Sequence, residues 1–226
     1  MRLTVFNGSP RGKGSSTKIL LEHFINGFMT TDGNTYELAY LNRVKDTDKF
    51  LELFQEAEQV LLAFPLYHDS MPAIVKTFIE SLEPLCGRES NPDIGFIVQS
   101  GFPEGIHSRY VERYLEKLAS RLGCRYIATI IKGGCEGVSR RPARMTKKLF
   151  QAFYQLGQIY GETGQFDERL IHKLAQPERF PKLIVPLLKL LLIKIGLVNS
   201  YWNSMLKKNN AFEKRYAKPY AGEDKP

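Results

Sequence analysis

The sequence predicts an α/β fold in which an open, doubly wound parallel sheet of five strands is followed by a helical C-terminal extension. Short runs rich in β-branched and aromatic residues alternate with longer segments that have helical periodicity. This alternation is typical of right-handed βαβ units. The run QVLLAFPLY at 59–67 is apolar without alternation, as expected for a central strand buried on both faces. The 226 residues, 43% of them hydrophobic, suffice for one domain with a modest extension.

Composition and turn residues place the five strands. The first strand covers Leu3–Phe6, because this apolar run ends at a Gly-Ser-Pro turn. The same criteria place the later strands at 36–41, 59–67, 93–101 and 125–134.

Apolar residues at helical spacing place the five helices. The first helix begins near Ser16, after a group of hydroxyl residues that can cap it. The later helices cover 48–58, 71–82, 107–123 and 143–164. Gly123 is expected to end the fourth helix as a C-cap. On that helix, the residues expected to face the core are Tyr110, Tyr114, Leu115 and Leu118.

The stretch NGSPRGKGSST at 7–17 joins the first strand to the first helix with hardly an apolar atom. A helix N-terminus presents free amides and the positive end of a dipole, and small residues let an anion approach the backbone. A surface turn would explain the glycines, serines and proline without any ligand. The added hydroxyl groups and guanidinium favour a phosphate site, with contacts from Ser9, Arg11, Ser15, Ser16 and Thr17.

This loop resembles that of the flavodoxin-like NAD(P)H-dependent FMN reductases and quinone reductases, which reads G-S-P-R-x-x-x-S-x-T. Ser16 stands where asparagine is frequent, whereas the matching residues are Gly8, Ser9, Pro10, Arg11, Ser15 and Thr17. The resemblance covers about residues 1–160 and implies strand order 2-1-3-4-5, FMN as the cofactor and NAD(P)H as the electron donor. The chain is similar to the iron–sulfur-flavoprotein branch, without its cysteine cluster.

Two further loops are expected to meet the first one. In a sheet of this order, ligands bind beyond the carboxyl ends of the strands where the order reverses. The loop after residue 64 carries a P-L-Y-x-x-S-M-P pattern that lines the flavin ring in the reductases it resembles. The implied contacts are Pro65, Leu66, Tyr67, His68, Asp69, Ser70 and Met71. Taken alone, a tight turn with a half-buried tyrosine is the alternative for this loop.

The loop after residue 99 contains two glycines and a proline around a phenylalanine. Its backbone donors could meet the pyrimidine edge of a flavin, where negative charge collects on reduction. The expected contacts are Ser100, Gly101, Phe102 and Glu104. Without context, a surface loop with an aromatic plug explains the same residues.

No catalytic residue is assigned with certainty. His68 and His107 could donate a proton near neutral pH, although each alone is more often an ordinary polar residue. The sequence has no G-x-S-x-G motif, so a serine hydrolase is excluded. No metal is expected, because the three cysteines are spaced unlike any zinc or iron–sulfur template.

Charge and cysteine usage indicate the setting of the protein. The net charge of +8 favours anionic ligands such as nucleotide cofactors, or an anionic surface, and is unlike the acidic flavodoxin electron carriers. The odd number of cysteines indicates reduced thiols. The N-terminus lacks the pattern of a signal or transit peptide. A cytoplasmic protein is therefore expected.

The composition changes in the last third of the chain. We place a flavodoxin-like domain at 1–164 and a helical extension at 165–226. Residues 183–198 are apolar almost all round a helix and must be covered by the domain, a second subunit or a membrane surface. A second copy is favoured, giving a homodimer, and peripheral membrane contact through this segment is the least favoured. The short basic tail does not favour nucleic acid.

Together these features predict an FMN-dependent oxidoreductase. Electrons from NAD(P)H would pass through bound FMN to a small acceptor, such as a quinone, a nitro or azo compound, or free flavin. The alternatives are an FMN-binding electron-transfer module that docks a protein partner and a membrane-surface protein that keeps the fold without a functional flavin.

Overall fold

The computed structural model describes residues 1–88, 90–190 and 197–218. The chain divides into two compact units, Met1–Arg179 and Phe180–Pro226. The first unit extends past residue 164, where the sequence analysis placed the domain boundary.

The first unit is built on a five-stranded parallel sheet with the order β2-β1-β3-β4-β5, which confirms the predicted topology. β1 lies between β2 and β3, so that Val5 pairs with Leu38 on one side and with Leu61 on the other. The strands cover Arg2–Asn7, Thr35–Tyr40, Gln59–Pro65, Asp93–Gln99 and Tyr126–Lys132.

Helices cover both faces of the sheet. In chain order, α1 to α6 span Ser16–Phe28, Thr47–Gln55, Ala73–Ser81, Arg109–Leu122, Ala143–Thr163 and Glu168–Leu174. Successive strand residues point to opposite faces, so Val5 packs with α1 and α5, whereas Phe6 packs with α2 and α3. Gly123 ends α4 in the left-handed conformation, as predicted. Each predicted helix is present, with ends displaced by one to a few residues.

The prediction of which α4 side chains face the core is wrong for two residues. The side chains of Tyr110 and Tyr114 are 70% and 42% exposed. The buried stripe instead follows Val111, Leu115, Ala119 and Leu122. Each tyrosine precedes a buried residue of this stripe by one position, which turns it about 100° around the helix axis. Leu115 was correctly predicted, and Leu118 packs against the core while partly exposed.

Two glycines allow the backbones of α1 and α5 to touch. A Cβ atom on Gly27 would lie 1.9 Å from the carbonyl oxygen of Tyr154, and one on Gly157 would lie 1.8 Å from that of Phe24. These distances are far below van der Waals contact, and the obstructing atoms belong to helical backbone. Only glycine therefore permits this helix pair to cover the sheet at its present spacing.

The second unit contains α7 at Ile184–Lys189 and α8 at Leu197–Lys208. The side chain of Leu183 is 92% exposed, and those of Ile184 and Leu190 are about half exposed. The prediction for the apolar segment 183–198 also depends on residues 187–189 and 191–198. Their side chains lie outside the described part of the structure. No helix among the described residues has the length and hydropathy needed to span a membrane.

We predict that Gly157→Ala lowers the free energy of unfolding by about 2 kcal/mol or more, because the added methyl group forces α1 and α5 apart. Urea unfolding followed by circular dichroism measures this effect. Gly14→Ala is the matched control, since a Cβ there would meet no atom within 4 Å. Equal unfolding midpoints for the two variants would contradict the helix contact.

Candidate functional site

The candidate site lies at the carboxyl end of the sheet, where the strand order reverses between β1 and β3. α1 leaves β1 on one face of the sheet and α3 leaves β3 on the other, so their loops separate and leave a crevice. The amide of Gly8 donates to the carbonyl of Ala63 over 2.7 Å, which ties the first loop to β3. The loop after β4 completes the crevice.

The first loop is held by its own hydrogen bonds. The amide of Ser9 donates to Oδ1 of Asn7 over 2.9 Å, and the amide of Gly12 donates to the carbonyl of Ser9 over 2.9 Å. The hydroxyl of Ser15 donates to the carbonyl of Gly12 and accepts from the amide of Lys18, at 2.7 and 3.1 Å. Ser15 is therefore the N-cap of α1, and its hydroxyl is already engaged.

The donors that remain at the start of α1 suit an anion. The amides of Ser16 and Thr17 belong to the first turn, where no carbonyl one turn earlier can accept from them. The side chain of Thr17 is fully buried and accepts a hydrogen bond from Nε2 of Gln99 over 3.3 Å. Thr17 thus ties the helix to β4, and Ser9, Arg11 and Ser16 are left to face the crevice.

A narrow cavity of about 30 Å³ brings residues of all three loops together. Predicted site residues that line it are Ser9, Arg11, Ser15, Ser16, Pro65, Leu66, Tyr67, Ser100 and Gly101. The predicted residues that do not line it are Thr17, His68, Asp69, Ser70, Met71, Phe102 and Glu104. The structure therefore brings together the first loop, the start of the second and the start of the third.

The second loop turns away from this cavity after Tyr67. Tyr67 and Ser70 exchange two backbone hydrogen bonds of 2.8 and 3.0 Å, and His68 and Asp69 between them have φ angles of 49° and 58°. Two successive left-handed residues characterise a tight type I′ turn and are strained for residues other than glycine. The amide of Ser70 is consumed by this turn, while half-exposed Tyr67 keeps one face on the crevice.

Beyond the turn lies a second, larger cavity of about 480 Å³. Asp69, Ser70 and Met71 line one side of it, and Tyr110 and Tyr114 of α4 line the other. The two tyrosines that were expected in the core are thus walls of a largely apolar cavity beside the turn. Its volume lies within the range of small-molecule sites.

The third loop rests on the loop after β5. The amides of Gly134 and Cys135 donate to the carbonyls of Phe102 and Ser100, over 2.8 and 2.7 Å. A Cβ on Gly133 would lie 2.4 Å from the carbonyl oxygen of Pro103, so the two loops are in backbone contact. The position of the third loop is therefore set by β5 as well as by β4.

His107 connects the second and third loops. Its ring packs on Phe102 with 4.6 Å between centroids, Nδ1 lies 3.8 Å from a carboxylate oxygen of Asp69, and Nε2 lies 3.8 Å from one of Glu104. His68 lies at the exposed turn instead. Of the two histidines considered for proton transfer, His107 is the one surrounded by residues of both loops.

Residues 165–179 hold the third loop in place through hydrogen bonds. This contact was not predicted from the sequence. The amides of Gly105 and Ile106 donate to the carbonyls of Pro177 and Glu178, over 2.9 and 3.1 Å. The guanidinium of Arg109 binds the carboxylate of Glu178 at 2.7 Å, and these hydrogen bonds lower the pKa of Glu178. The partners are 69 residues apart, so no local pattern reveals the pair.

Two residues that line the narrow cavity were also missed. Gln99 is the last residue of β4, and Glu136 follows β5. A carboxylate oxygen of Glu136 lies 3.8 Å from a guanidinium nitrogen of Arg11, and both side chains are more than half exposed. Such a pair is weak, so Arg11 can leave it for a bound anion. For Gln99, a polar residue at the end of a buried strand was the available signal, whereas Glu136 lies four residues past β5 and follows no such pattern.

The cysteines play no visible part in this site. Cys86 is exposed, whereas Cys124 and Cys135 are buried, and none forms a disulfide. Burial raises the pKa of the Cys124 and Cys135 thiols to about 12, so both stay protonated. Within the described residues, no group of three or more histidine, cysteine, aspartate or glutamate residues could hold a metal ion.

Solved structures share this fold at low sequence identity. An azoreductase from Bacillus anthracis strain Sterne is 15% identical, with a TM-score of 0.55 over 70% of this chain and 99% of that chain. An NAD(P)H:quinone oxidoreductase from Methanothermobacter marburgensis is 16% identical, with a TM-score of 0.57 over 70% of this chain and 96% of that one. An NADH:FMN oxidoreductase is 14% identical, with a TM-score of 0.54 over 78% and 96% of the two chains.

No curated protein sequence matches this chain. Residues 1–101, which contain β1 to β4 and all of the first two loops, match the family described as NADPH-dependent FMN reductase. The match confirms the predicted family, an FMN-dependent enzyme class with a nicotinamide nucleotide as electron donor. The matched stretch is less than half of the chain, and through it the chain is similar to the NADPH-dependent FMN reductases.

Proposed function

We propose that the chain is an FMN-dependent NAD(P)H oxidoreductase that passes electrons to a small aromatic acceptor. The observation that carries the proposal is the meeting of the three predicted loops in one crevice at the reversal of the strand order. Two of these loops lie wholly within the part of the chain that matches the family.

The donor set at the start of α1 fits the phosphate of FMN. Arg11 supplies a guanidinium, Ser9 and Ser16 supply hydroxyl groups, and the first amides of α1 supply the positive end of a helix dipole. In this proposal Tyr67 lies against the flavin ring and the amides after Ser100 meet its polar edge. Bound FMN supplies hydride and electron transfer, and the protein supplies position and exclusion of water.

The larger cavity supports a quinone, a nitro or azo compound, or free flavin as the acceptor. Tyr110, Tyr114 and Met71 offer apolar and aromatic surface next to the turn that begins at Tyr67. A planar aromatic molecule gains from stacking on such side chains. The acceptor would thereby lie beside the flavin crevice without displacing the phosphate.

The proposal includes a cytoplasmic homodimer. The apolar composition of 183–198, with Leu183 almost fully exposed in a single chain, supports a cover by a second copy. Light scattering by the full chain is expected to give the mass of two copies. A mass of one copy, or solubility that depends on detergent, would contradict the dimer.

The function is tested by reduction of the flavin. We expect the purified chain with FMN to absorb at about 450 nm. Addition of NAD(P)H without oxygen should remove this absorbance, and addition of a quinone should restore it. Flavin that binds but does not bleach would indicate an electron-transfer module instead. Failure to bind FMN would overturn the proposal.

The phosphate site is tested by Arg11→Ala combined with Ser16→Ala. Removal of two donors, one of them charged, is expected to weaken FMN binding by about 3 kcal/mol, or about a hundredfold in Kd. Riboflavin, which lacks the phosphate, should bind both proteins alike. Lys13→Ala is the matched control, because this lysine lies in the same loop but does not line the crevice. If the wild type binds FMN and riboflavin equally well, the loop holds no phosphate.

A further inference from the structure

A third cavity, of about 410 Å³, lies behind the third loop. It is formed by the end of β5 with the glycines that follow, the first three turns of α5, and the segment from Lys173 to Pro177. None of its lining residues lines the flavin crevice. It is therefore a separate site, and its function does not depend on the proposed redox activity.

The charge of this cavity has one sign. Four cationic side chains line it, and no carboxylate among the described residues does so: the cations are Lys132, Arg141, Lys148 and Lys173. Across residues 1–88, 90–190 and 197–218, none of the four forms an ion pair. Like charges that converge without an anion repel each other, so an anionic ligand would relieve the repulsion.

Two of the cations are held in place by backbone carbonyls. Nζ of Lys132, which is more than half buried, donates to the carbonyl of Leu174 over 3.1 Å. The guanidinium of Arg141 donates to the carbonyls of Gly134 and Glu136, both over 2.7 Å. Burial, together with the nearby charge of Arg141, lowers the pKa of Lys132. A fixed, partly desolvated ammonium group attracts an anion more strongly than a mobile surface lysine does.

One wall of the cavity is apolar. Met145 is 64% exposed, and Leu149, Ala152 and Leu174 continue the same surface. A wholly hydrophilic anion would leave these side chains in contact with water, whereas a ligand with a hydrocarbon part would cover them. The cavity thus combines a cationic rim with an apolar wall.

We propose that this cavity binds a phosphate monoester that carries an apolar chain. The phosphoryl group lies among the four cations, and the apolar chain covers Met145 and Leu149. The positive end of the α5 dipole, close to Met145, adds to the attraction. The same chemistry occurs in soluble alkyl phosphates and in the headgroup region of a lipid such as phosphatidic acid, and the experiment separates these sources.

The test is isothermal titration of the full-length protein with decyl phosphate below its micelle concentration. We expect decyl phosphate to bind about tenfold or more tightly than inorganic phosphate, because both parts of the cavity contribute. Decyltrimethylammonium, with the same chain and the opposite charge, should not bind. Equal binding of decyl phosphate and inorganic phosphate, or binding of the cationic detergent, would overturn the proposal.

Lys148→Met and Lys173→Met, on two different elements, locate the site. Each is expected to weaken decyl phosphate binding about tenfold through loss of a charge-assisted hydrogen bond. Lys147→Met is the matched control, since this exposed lysine precedes Lys148 on α5 and does not line the cavity. Circular dichroism checks that all three variants are folded. Equal losses for Lys147→Met and Lys148→Met would indicate general charge attraction and overturn the proposal.

Flotation with phosphatidylcholine vesicles, with and without phosphatidic acid, identifies the source of the phosphate. Binding that requires phosphatidic acid and Lys148 supports a lipid ligand. Binding of decyl phosphate without binding of vesicles supports a soluble ligand. Vesicle binding that is equal in the Lys147 and Lys148 variants, with no binding of decyl phosphate, would place the attraction outside the cavity and contradict the proposal.

Discussion

The parallel pairing of β1 between β2 and β3 is the constraint on which the rest of the structure depends. Val5 is bonded in register to both neighbours, so the chain must leave β1 and β3 at the same edge of the sheet. α1 then packs on one face and α3 on the other, which separates their loops. The crevice is thus a result of strand order. The glycines Gly27 and Gly157 let α1 pack directly against the backbone of α5 on its face of the sheet.

Much of the polar chemistry of the first loop serves the fold. Ser15 caps α1, Asn7 holds the amide of Ser9, and Thr17 is bonded to Gln99. A loop that is held by its own side chains presents its remaining donors at fixed positions, which lowers the entropy cost of holding a ligand. In the sequence these side chains resemble ligand contacts, whereas in the structure they mainly hold the loop in place.

The third loop shows how distant segments complete a site. Its carbonyls accept from the loop after β5, and the residues that follow it are bonded to the segment near Glu178. The bidentate pair of Arg109 and Glu178 ties the start of α4 to the last residues of the first unit. That segment also forms one wall of the third cavity, so the contact that holds the third loop and the lining of this cavity share one element.

The sequence by itself determined the strands, the helices and the loop that resembles a phosphate site, because these follow from periodicity, turn residues and a local motif. Strand order came from the resemblance. The direction of Tyr110 and Tyr114, the approach of Gln99 and Glu136 to the crevice, and the pair of Arg109 with Glu178 were decided only by the tertiary structure. A local pattern predicts the buried face of a helix only to within about one residue. Contacts between distant residues depend instead on how the elements pack. For the same reason, the sequence shows the four cations of the third cavity only as dispersed basic residues. In the structure, β5, α5 and α6 bring them together.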